Sequence, residues 1–197
     1  MIVYIIGNGR FAYQLKDILI DIYPNGRIIF VSIDEKDEEN YITEKSFWNL
    51  LNNSNDLNVI VGLGYKHPKK RIELINILKQ KNINIINAIH PTASINSKAK
   101  LGSSIVIYPH VIVEKNTILG NGVILNTGAL VCHDSLIGKG TFIAPRTVVL
   151  GDNKVGEFCF IGANSTIKNG LIIGNDSTIG FGLRVSNNLK NKSKLIK

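Results

Sequence analysis

The strongest constraint on the fold of this chain is a six-residue repeat: an aliphatic residue occupies every sixth position from Ile95 to Val185. An α-helix would give a period of about 3.6 residues and an ordinary strand a period of about two, whereas short strands joined by tight corners give a longer one. The series therefore predicts a parallel β-helix of hexapeptide repeats. Its members are Ile95, Leu101, Ile107, Val113, Leu119, Leu125, Val131, Ile137, Ile143, Val149, Val155, Ile161, Ile167, Ile173, Ile179 and Val185.

A second period, of eighteen residues, fixes the cross-section, because glycine follows the aliphatic residue at Gly102, Gly120, Gly138, Gly156 and Gly174. Three hexapeptides therefore make one coil, which predicts a triangular prism. Stacked at the inter-strand spacing of about 4.8 Å, the repeats give about five coils and a length of about 25 Å. Side chains four positions after each aliphatic residue are mostly small or β-branched and suit a narrow interior, whereas Asn153 and Leu171 fit less well. The period does not determine the hand of the coil.

Residues 1–89 follow a different pattern, in which apolar runs alternate with helical stretches. The runs IVYII, RIIFVS, NVIVGLG and INIINAI are typical of buried strands, with helices predicted between them. This order predicts a small parallel sheet of the Rossmann kind. We expect an α/β domain at 1–89, an all-β prism at 90–188 and a basic tail at 189–197, with the first and last parts covering the ends of the prism.

The turn after the first predicted strand, GNGRFA, matches the G-x-G-x-x-[GA] fingerprint. Its glycines allow a phosphate to approach a helix N-terminus closely, and Asp34 stands where a carboxylate would contact a ribose or a base. The segment is too short for a complete dinucleotide fold, so it predicts a mononucleotide-binding domain, with a phosphate-free structural turn as the alternative. The candidate nucleotide-binding residues are Gly7, Asn8, Gly9, Arg10, Phe11, Asp34, Gly62, Leu63, Gly64 and Tyr65.

The composition is that of a globular protein with a net charge of +8. This charge suits anionic ligands, although a solvated lysine-rich surface explains it equally well. No nucleic-acid-binding motif accompanies the charge and no apolar stretch could cross a bilayer, so neither nucleic acid nor a membrane is expected as a partner. The opening MIVYIIG lacks a basic leader, and Cys132 and Cys159 form no obvious disulfide framework. Both features favour the cytoplasm.

His133 lies at a predicted corner of the prism, within NTGALVCHD. The glycine loop, the junction His90-Pro91-Thr92-Ala93 and the N-T-G-A-x-V-x-H-D hexapeptides together resemble the bacterial sugar O-acyltransferases of the sialic-acid O-acetyltransferase family. That family includes N-acetyltransferases of nucleotide-linked amino sugars. The resemblance spans nearly the whole chain and implies a left-handed β-helix, a homotrimer, acetyl-CoA as acyl donor and a nucleotide-activated sugar as acceptor.

The resemblance also implies roles for individual residues. His133 matches the general base, Asp134 the acidic residue that follows it, Asn126 the asparagine that opens the motif, and Gly151 a backbone amide that holds the thioester oxygen. His133 and Gly151 are one coil apart and should stack within about 5 Å at one corner. For acetyl-CoA, the expected contacts are Phe142, Gly151, Gly162, Ala163 and Gly180.

Two positions depart from the family pattern. Phe142 stands where several members have a second histidine, nine residues after the base, and it leaves an apolar wall against pantetheine. The closing KNKSKLIK replaces a G-x-P-A-[KR] segment near the CoA adenine.

The function expected from this resemblance is acetyl-CoA-dependent N-acetylation of a nucleotide-linked amino sugar at a subunit interface. A neutral imidazole would accept the amine proton, and one N–H donor would stabilise the oxyanion by about 3 kcal/mol. The alternatives are O-acetylation of a sialic acid or other sugar and a non-enzymatic, nucleotide-sensing trimer. A β-helix carbonic anhydrase would need three histidines around zinc, but the repeats contain only His110 and His133, so no metal is expected.

Overall fold

The computed structural model describes residues 1–32, 39–53 and 57–196. An α/β region opens the chain, with one parallel sheet, sheet I, in the strand order β3-β2-β1-β4-β5. Its elements are β1 (Ile2–Ile6), α1 (Arg10–Ile22), β2 (Arg27–Ser32), β3 (Tyr41–Thr43), α2 (Glu44–Asn53), β4 (Asn58–Val61), α3 (Pro68–Gln80) and β5 (Asn84–Ile85). The central strands are buried apolar runs, as expected for a parallel sheet covered on both faces.

Sheet I differs from the sequence expectation at two strands. The short strand β3 pairs with β2 and was not predicted. The apolar run INIINAI contributes only β5 to sheet I, because the chain then leaves for the prism. Asn87 makes this crossing: its side-chain amide donates to the Gly102 carbonyl at 3.0 Å, and its side-chain oxygen accepts from the Ile105 N–H at 2.9 Å.

The prism follows as a series of two-residue strands, all in parallel pairs. In chain order they are β6 (Ala88–Ile89), β7 (Ser94–Ile95), β8 (Lys100–Leu101), β9 (Val106–Ile107), β10 (Ile112–Val113), β11 (Ile118–Leu119), β12 (Ile124–Leu125), β13 (Leu130–Val131), β14 (Leu136–Ile137), β15 (Phe142–Ile143), β16 (Val148–Val149), β17 (Lys154–Val155), β18 (Phe160–Ile161), β19 (Thr166–Ile167), β20 (Ile172–Ile173), β21 (Thr178–Ile179), β22 (Arg184–Val185) and β23 (Lys194–Leu195).

These strands form the three faces of a triangular prism. Sheet II contains β6, β9, β12, β15, β18, β21 and β23; sheet III contains β7, β10, β13, β16, β19 and β22; and sheet IV contains β8, β11, β14, β17 and β20. The chain passes from sheet II to III to IV and back to II, which gives a II–III edge, a III–IV edge and a IV–II edge. Residues eighteen apart therefore stack, as in the pairing of Leu125 with Ile107 and Ile143.

The second residue of most prism strands points inward and is completely buried. The small positions at the corners are also buried, and their hydroxyl groups bond to the next coil: Thr141 Oγ1 donates to the Gly156 carbonyl at 2.8 Å, and Thr147 Oγ1 to the Gly162 carbonyl at 2.9 Å. Asn153 is buried too, and its side-chain oxygen accepts from the Leu171 N–H at 2.9 Å. Each of these polar groups thereby avoids an unpaired state in the core.

The corners of the prism depend on two local features. The residue three positions after the inward aliphatic residue adopts the left-handed conformation, as in Asp134 with φ +57°. The glycine one position after that aliphatic residue is required by close packing instead, because a Cβ atom on Gly138 would lie 2.5 Å from the carbonyl carbon of Gly156. No larger residue fits at that position without moving the next coil.

The ends of the prism differ from the expected boundaries. Its first strand already includes Ile89, which pairs with Ile107. At the other end, residues 189–195 continue the coil: Leu189 bridges to Ile173 and Leu195 pairs with Ile179, each sixteen residues away instead of eighteen. The lysine-rich segment therefore adds a last, shorter coil.

The α/β region packs on the outer face of sheet II. Val106, Ile124 and Phe142 share an apolar cluster with α1 and sheet I. Helix α3 packs on the IV–II edge, where a Cβ atom on Gly122 would meet Ile72 Cδ1 at 3.0 Å and Ile75 Cδ1 at 3.1 Å. Within the described ranges, no helix combines the length and apolar character that crossing a lipid bilayer requires.

Candidate active site

His133 and Gly151 stack at the III–IV edge. A Cβ atom on Gly151 would lie 2.6 Å from His133 Cε1 and 2.8 Å from His133 Nε2, so the imidazole occupies the space that a side chain would need. The coils are also joined here, since the Asp152 N–H donates to the His133 carbonyl at 3.0 Å. The Gly151 N–H donates no hydrogen bond to another of the described residues.

Asp134 orients the imidazole of His133. His133 Nδ1 and Asp134 Oδ2 are 2.8 Å apart, and Asn116 Nδ2 donates to the other carboxylate oxygen at 2.8 Å. The Asn116 hydrogen bond and then the one from His133 hold the pKa of Asp134 below its usual value, so the carboxylate stays ionised at neutral pH. A proton on Nδ1 that donates to this carboxylate leaves Nε2 free to accept one.

Two further carboxylates lie near His133. Glu114 Oε2 accepts the His133 backbone N–H at 2.8 Å. His133, Asp134 and Asp152 each have a side-chain atom that could bind a metal ion. These three atoms lie within 4.8 Å of one another, and both aspartates are exposed. The surroundings of the imidazole are therefore acidic, which suits an acceptor that arrives as a cation.

A cavity of about 620 Å³ lies between the α/β region and the prism, beside their packed apolar contact; we call it the interface cavity. Two loops line it: the glycine loop after β1 (residues 7–9) and the loop after β4 (residues 62–67). β1 and β4 are neighbours at the point where the strand order of sheet I reverses, the usual ligand-binding position in a parallel sheet. Its lining comprises Gly9, Arg10, Phe11, Gln14, Gly62, Leu63, Gly64, Tyr65, Lys66, His67, Tyr108, Asn126 and Phe142.

Tyr108 and Phe142 line the interface cavity from the prism, and Tyr65 lines it from the loop after β4. Phe142 and Phe160 stack with ring centroids 5.5 Å apart and planes 8° apart, and Tyr65 lies 5.1 Å from Phe142. Tyr108 donates from its hydroxyl group to Gln14 Oε1 at 3.1 Å. Burial, followed by repulsion from Asp17, raises the pKa of Tyr108 to about 12. The cavity thus combines an apolar wall with cationic side chains.

A second cavity of about 370 Å³ lies at the carboxyl ends of β1 and β2; we call it the sheet-edge cavity. Gly7, Asn8 and Gly9 line it together with Ser32, Glu44, His67 and Lys70. Asn8 Nδ2 donates to Ser32 Oγ at 2.8 Å, which fixes the glycine loop against β2. Asp34, the predicted ribose- or base-contacting residue, falls outside the described residues.

The predicted site residues divide between two edges of the prism. His133, Asp134 and Gly151 lie together at the III–IV edge, whereas Asn126 lies at the II–III edge beside the interface cavity. Of the residues predicted to contact acetyl-CoA, Phe142 lies on sheet II, and Gly162, Ala163 and Gly180 lie at the II–III edge, on the same side as Asn126. A single copy of the chain therefore does not bring Asn126 to His133.

Several residues in these surroundings were not identified from the sequence. Asn116 and Asp152 lie one coil on either side of Asp134, so the eighteen-residue period could have found both. Tyr108 and Gln14 are ninety-four positions apart and meet only through the packing of α1 on sheet II. No spacing rule predicts such a contact.

Comparison with known proteins supports the fold. Residues 154–187 match the family model described as bacterial transferase hexapeptide (six repeats). A search of curated proteins found no significant match.

Solved structures match over nearly the whole chain. PerB from Caulobacter crescentus, in complex with CoA and GDP-perosamine, has a TM-score of 0.87 and 25% identity over 98% of this chain and 92% of that chain. A mutant of perosamine N-acetyltransferase from the same organism has a TM-score of 0.88 and 24% identity, with 98% and 91% covered. The acetyltransferase domain of PglB from Neisseria gonorrhoeae FA1090 has a TM-score of 0.86 and 22% identity, with 98% and 95% covered.

These comparisons confirm the predicted architecture, an α/β region followed by a hexapeptide-repeat β-helix. They also confirm the predicted class of enzyme, an acyltransferase.

Proposed function

We propose that this protein transfers an acetyl group from acetyl-CoA to the amino group of a nucleotide-linked amino sugar. The observation that carries the proposal is the stacking of the His133 imidazole on Gly151, with Asp134 bonded to Nδ1. This arrangement leaves Nε2 as a base beside a backbone N–H that has no acceptor among the described residues. The similarity to PerB, whose structure contains CoA and GDP-perosamine, supports a CoA thioester and a nucleotide-linked amino sugar as the two classes of substrate.

The chemistry follows from what amide formation requires. The sugar amine attacks the thioester carbonyl as its nitrogen loses a proton to Nε2 of His133. Negative charge develops on the carbonyl oxygen, and the Gly151 N–H stabilises it by about 3 kcal/mol. Collapse of the tetrahedral intermediate breaks the carbon–sulfur bond, and the protonated His133 gives its proton to the departing sulfur, so that CoA leaves as the thiol and the imidazole is regenerated. Asp134 keeps the imidazole oriented and stabilises its protonated form.

The nucleotide occupies the α/β region in this proposal. The glycine loop lines both cavities, so a nucleotide could extend from the sheet-edge cavity into the interface cavity. Arg10 and Lys66 supply positive charge for phosphates along that path, and the His67 ring offers a further polar group. The sugar then lies toward Asn126 and Phe142.

The acyl-transfer site forms between copies of the chain in a homotrimer. Sheet III separates the edge that carries Asn126 from the edge that carries His133, and its outer face presents Ile112, which is 45% exposed. When prisms pack side by side, the II–III edge of one copy can face the III–IV edge of the next. Acetyl-CoA would lie in the groove between them, with Phe142, Gly162, Ala163 and Gly180 on one wall and Gly151 on the other.

Release of free thiol from acetyl-CoA tests this function. The acceptors are amino sugars linked to UDP, dTDP or GDP, with free sialic acid for comparison, and all assays contain EDTA. We expect turnover of at least one nucleotide amino sugar and a loss of about a hundredfold or more in His133→Ala. Lys100→Ala is the control for truncation of an exposed side chain, because Lys100 lies on the outer face of sheet IV, in the first coil and outside the proposed groove.

Three results would contradict the proposal. An unchanged rate in His133→Ala would remove its role as the base. Turnover of sialic acid alone would make the protein a sugar O-acetyltransferase. Nucleotide binding without thiol release from any acceptor would favour the sensing module.

A further inference from the structure

Arg71 on α3 is completely buried although its side chain is charged. Burial lowers the pKa of Arg71 to about 10, which still leaves the guanidinium protonated at neutral pH. In the part of the chain that the structure describes, no carboxylate forms an ion pair with it. A buried charge of this kind is costly unless hydrogen bonds compensate for lost hydration.

The compensation comes from backbone carbonyl groups. Arg71 Nη1 donates to the carbonyl oxygens of Leu63 at 2.8 Å and Gly64 at 3.0 Å. Its Nη2 donates to the carbonyl oxygen of Gly140 at 3.0 Å, whereas Nε has no partner among the described residues. The guanidinium therefore ties the loop after β4 to the IV–II edge of the prism.

Together with the His67 N–H, which donates to the Gly64 carbonyl at 3.1 Å, these bonds determine which way the loop amides point. In a trans peptide the N–H points opposite to the C=O of the same unit, and the described chain contains no cis peptide. The carbonyls of Leu63 and Gly64 face Arg71, so the N–H groups of Gly64 and Tyr65 face away from it. Both residues line the interface cavity, and within the described residues neither N–H has an acceptor.

We propose that Arg71 is a positioning residue that makes the loop after β4 a binding site for the diphosphate of the nucleotide sugar. The N–H groups of Gly64 and Tyr65 donate to phosphate oxygens, as successive backbone amides do in other anion-binding loops. The guanidinium behind the loop adds a positive charge that no carboxylate of the described residues neutralises. The identity of the ligand rests on the function proposed above, whereas the preference for a diphosphate rests on this loop.

Titration calorimetry on the full chain without acetyl-CoA tests the proposal. The probes are UDP and GDP, each compared with its nucleoside, uridine or guanosine. Arg71→Gln removes the charge, and Arg71→Lys keeps the charge but cannot hold the Leu63, Gly64 and Gly140 carbonyls together. Lys69→Met is the matched control, since Lys69 also ties α3 to the prism, through Asp176 at 3.0 Å and the Phe158 ring, without contacting the loop.

We expect the wild-type chain to bind the diphosphate of at least one pair about tenfold or more tightly than its nucleoside. Arg71→Gln should abolish most of the preference for the diphosphate and leave the affinity for the nucleoside within about twofold of wild type. Arg71→Lys should give an intermediate preference, and Lys69→Met should keep the wild-type preference. In steady-state assays, Arg71→Gln should raise KM for the nucleotide sugar without changing KM for acetyl-CoA. Circular dichroism and the melting temperature report folding, and Arg71→Lys keeps the test decisive if Arg71→Gln does not fold.

Equal loss of nucleoside and diphosphate affinity in the Arg71 variants would show a purely structural role. The same loss of preference in Lys69→Met would assign the effect to helix docking. The absence of any diphosphate preference in the wild-type chain would overturn the anion site itself. Because binding needs no acyl donor, a diphosphate preference without thiol release would leave this inference intact and reject the acetyltransferase alone.

Discussion

The imidazole of His133 occupies the space directly over Gly151, where an added Cβ atom would lie 2.6 Å from Cε1. The side chain of His133 is 46% exposed, so it can rotate away from such a methyl group at little cost in stability. Rotation would break its bond to Asp134 and move Nε2 away from the Gly151 N–H. We expect Gly151→Ala to lower kcat by about tenfold or more and the free energy of unfolding by about 1 kcal/mol or less.

The double variant His133→Ala/Gly151→Ala is the control for this prediction. Without the imidazole the added methyl group meets no obstacle, so the two substitutions should not be additive in kcat. Steady-state kinetics and urea unfolding give kcat and the free energy of unfolding for the wild type, the two single variants and the double variant. Full activity in Gly151→Ala would contradict a requirement for the stacked geometry.

Asp134→Asn should remove the charge that orients the His133 imidazole while leaving the backbone of the prism corner unchanged. The folded-state pKa of Asp134 lies below its usual value, so the carboxylate is ionised at neutral pH and holds the imidazole in place. This stabilising interaction is lost only as the pH falls through the lowered pKa. Asparagine tolerates the left-handed conformation of this residue but carries no charge to stabilise an imidazolium. We expect kcat to fall by about tenfold with little change in melting temperature.

Asp152→Asn is the matched control for Asp134→Asn, because Asp152 is also exposed, left-handed and close to His133. It makes no hydrogen bond to the imidazole among the described residues. Its kcat should stay within about twofold of wild type. Equal losses in the two variants would indicate a general effect of negative charge near the base.

The raised pKa of Tyr108 predicts that the folded chain loses stability at high pH. Its pKa is raised to about 12 in the folded chain, against about 10 when unfolded, so the unfolded state releases the proton first. The stabilisation is therefore complete below pH 10 and is lost as the pH rises toward 12. Relative to Tyr108→Phe, the wild-type free energy of unfolding should fall by at most about 1.4 kcal/mol per pH unit in this range. Urea unfolding at pH 9, 10 and 11 measures the difference, and parallel curves would contradict burial of the phenol at this interface.

The six-residue register was predictable because each inward position must be apolar, and the stacking of His133 on Gly151 follows from counting eighteen residues. The same count explains why Asn126 is not beside His133, since seven residues advance the chain by one face of the prism. The register does not extend to Leu189, because a coil two residues shorter breaks the period that revealed the others. Arg71 was not predictable either, since its bond to Gly140 depends on how α3 docks and spans sixty-nine positions.

Mixed assemblies test whether the two edges of the prism cooperate between copies. One chain carries His133→Ala, and the other carries Arg10→Ala and Asn126→Ala beside the interface cavity. Each variant alone should be nearly inactive. Suppose that each site takes His133 from one copy and the interface cavity from its neighbour. After the two chains are mixed in equal amounts and reassembled, half of the sites receive an intact His133, and half of those also receive an intact cavity. The mixture should therefore recover about one quarter of wild-type activity. If all three residues act within one chain, every site in the mixture lacks an essential group and the activity stays at the level of the separate variants.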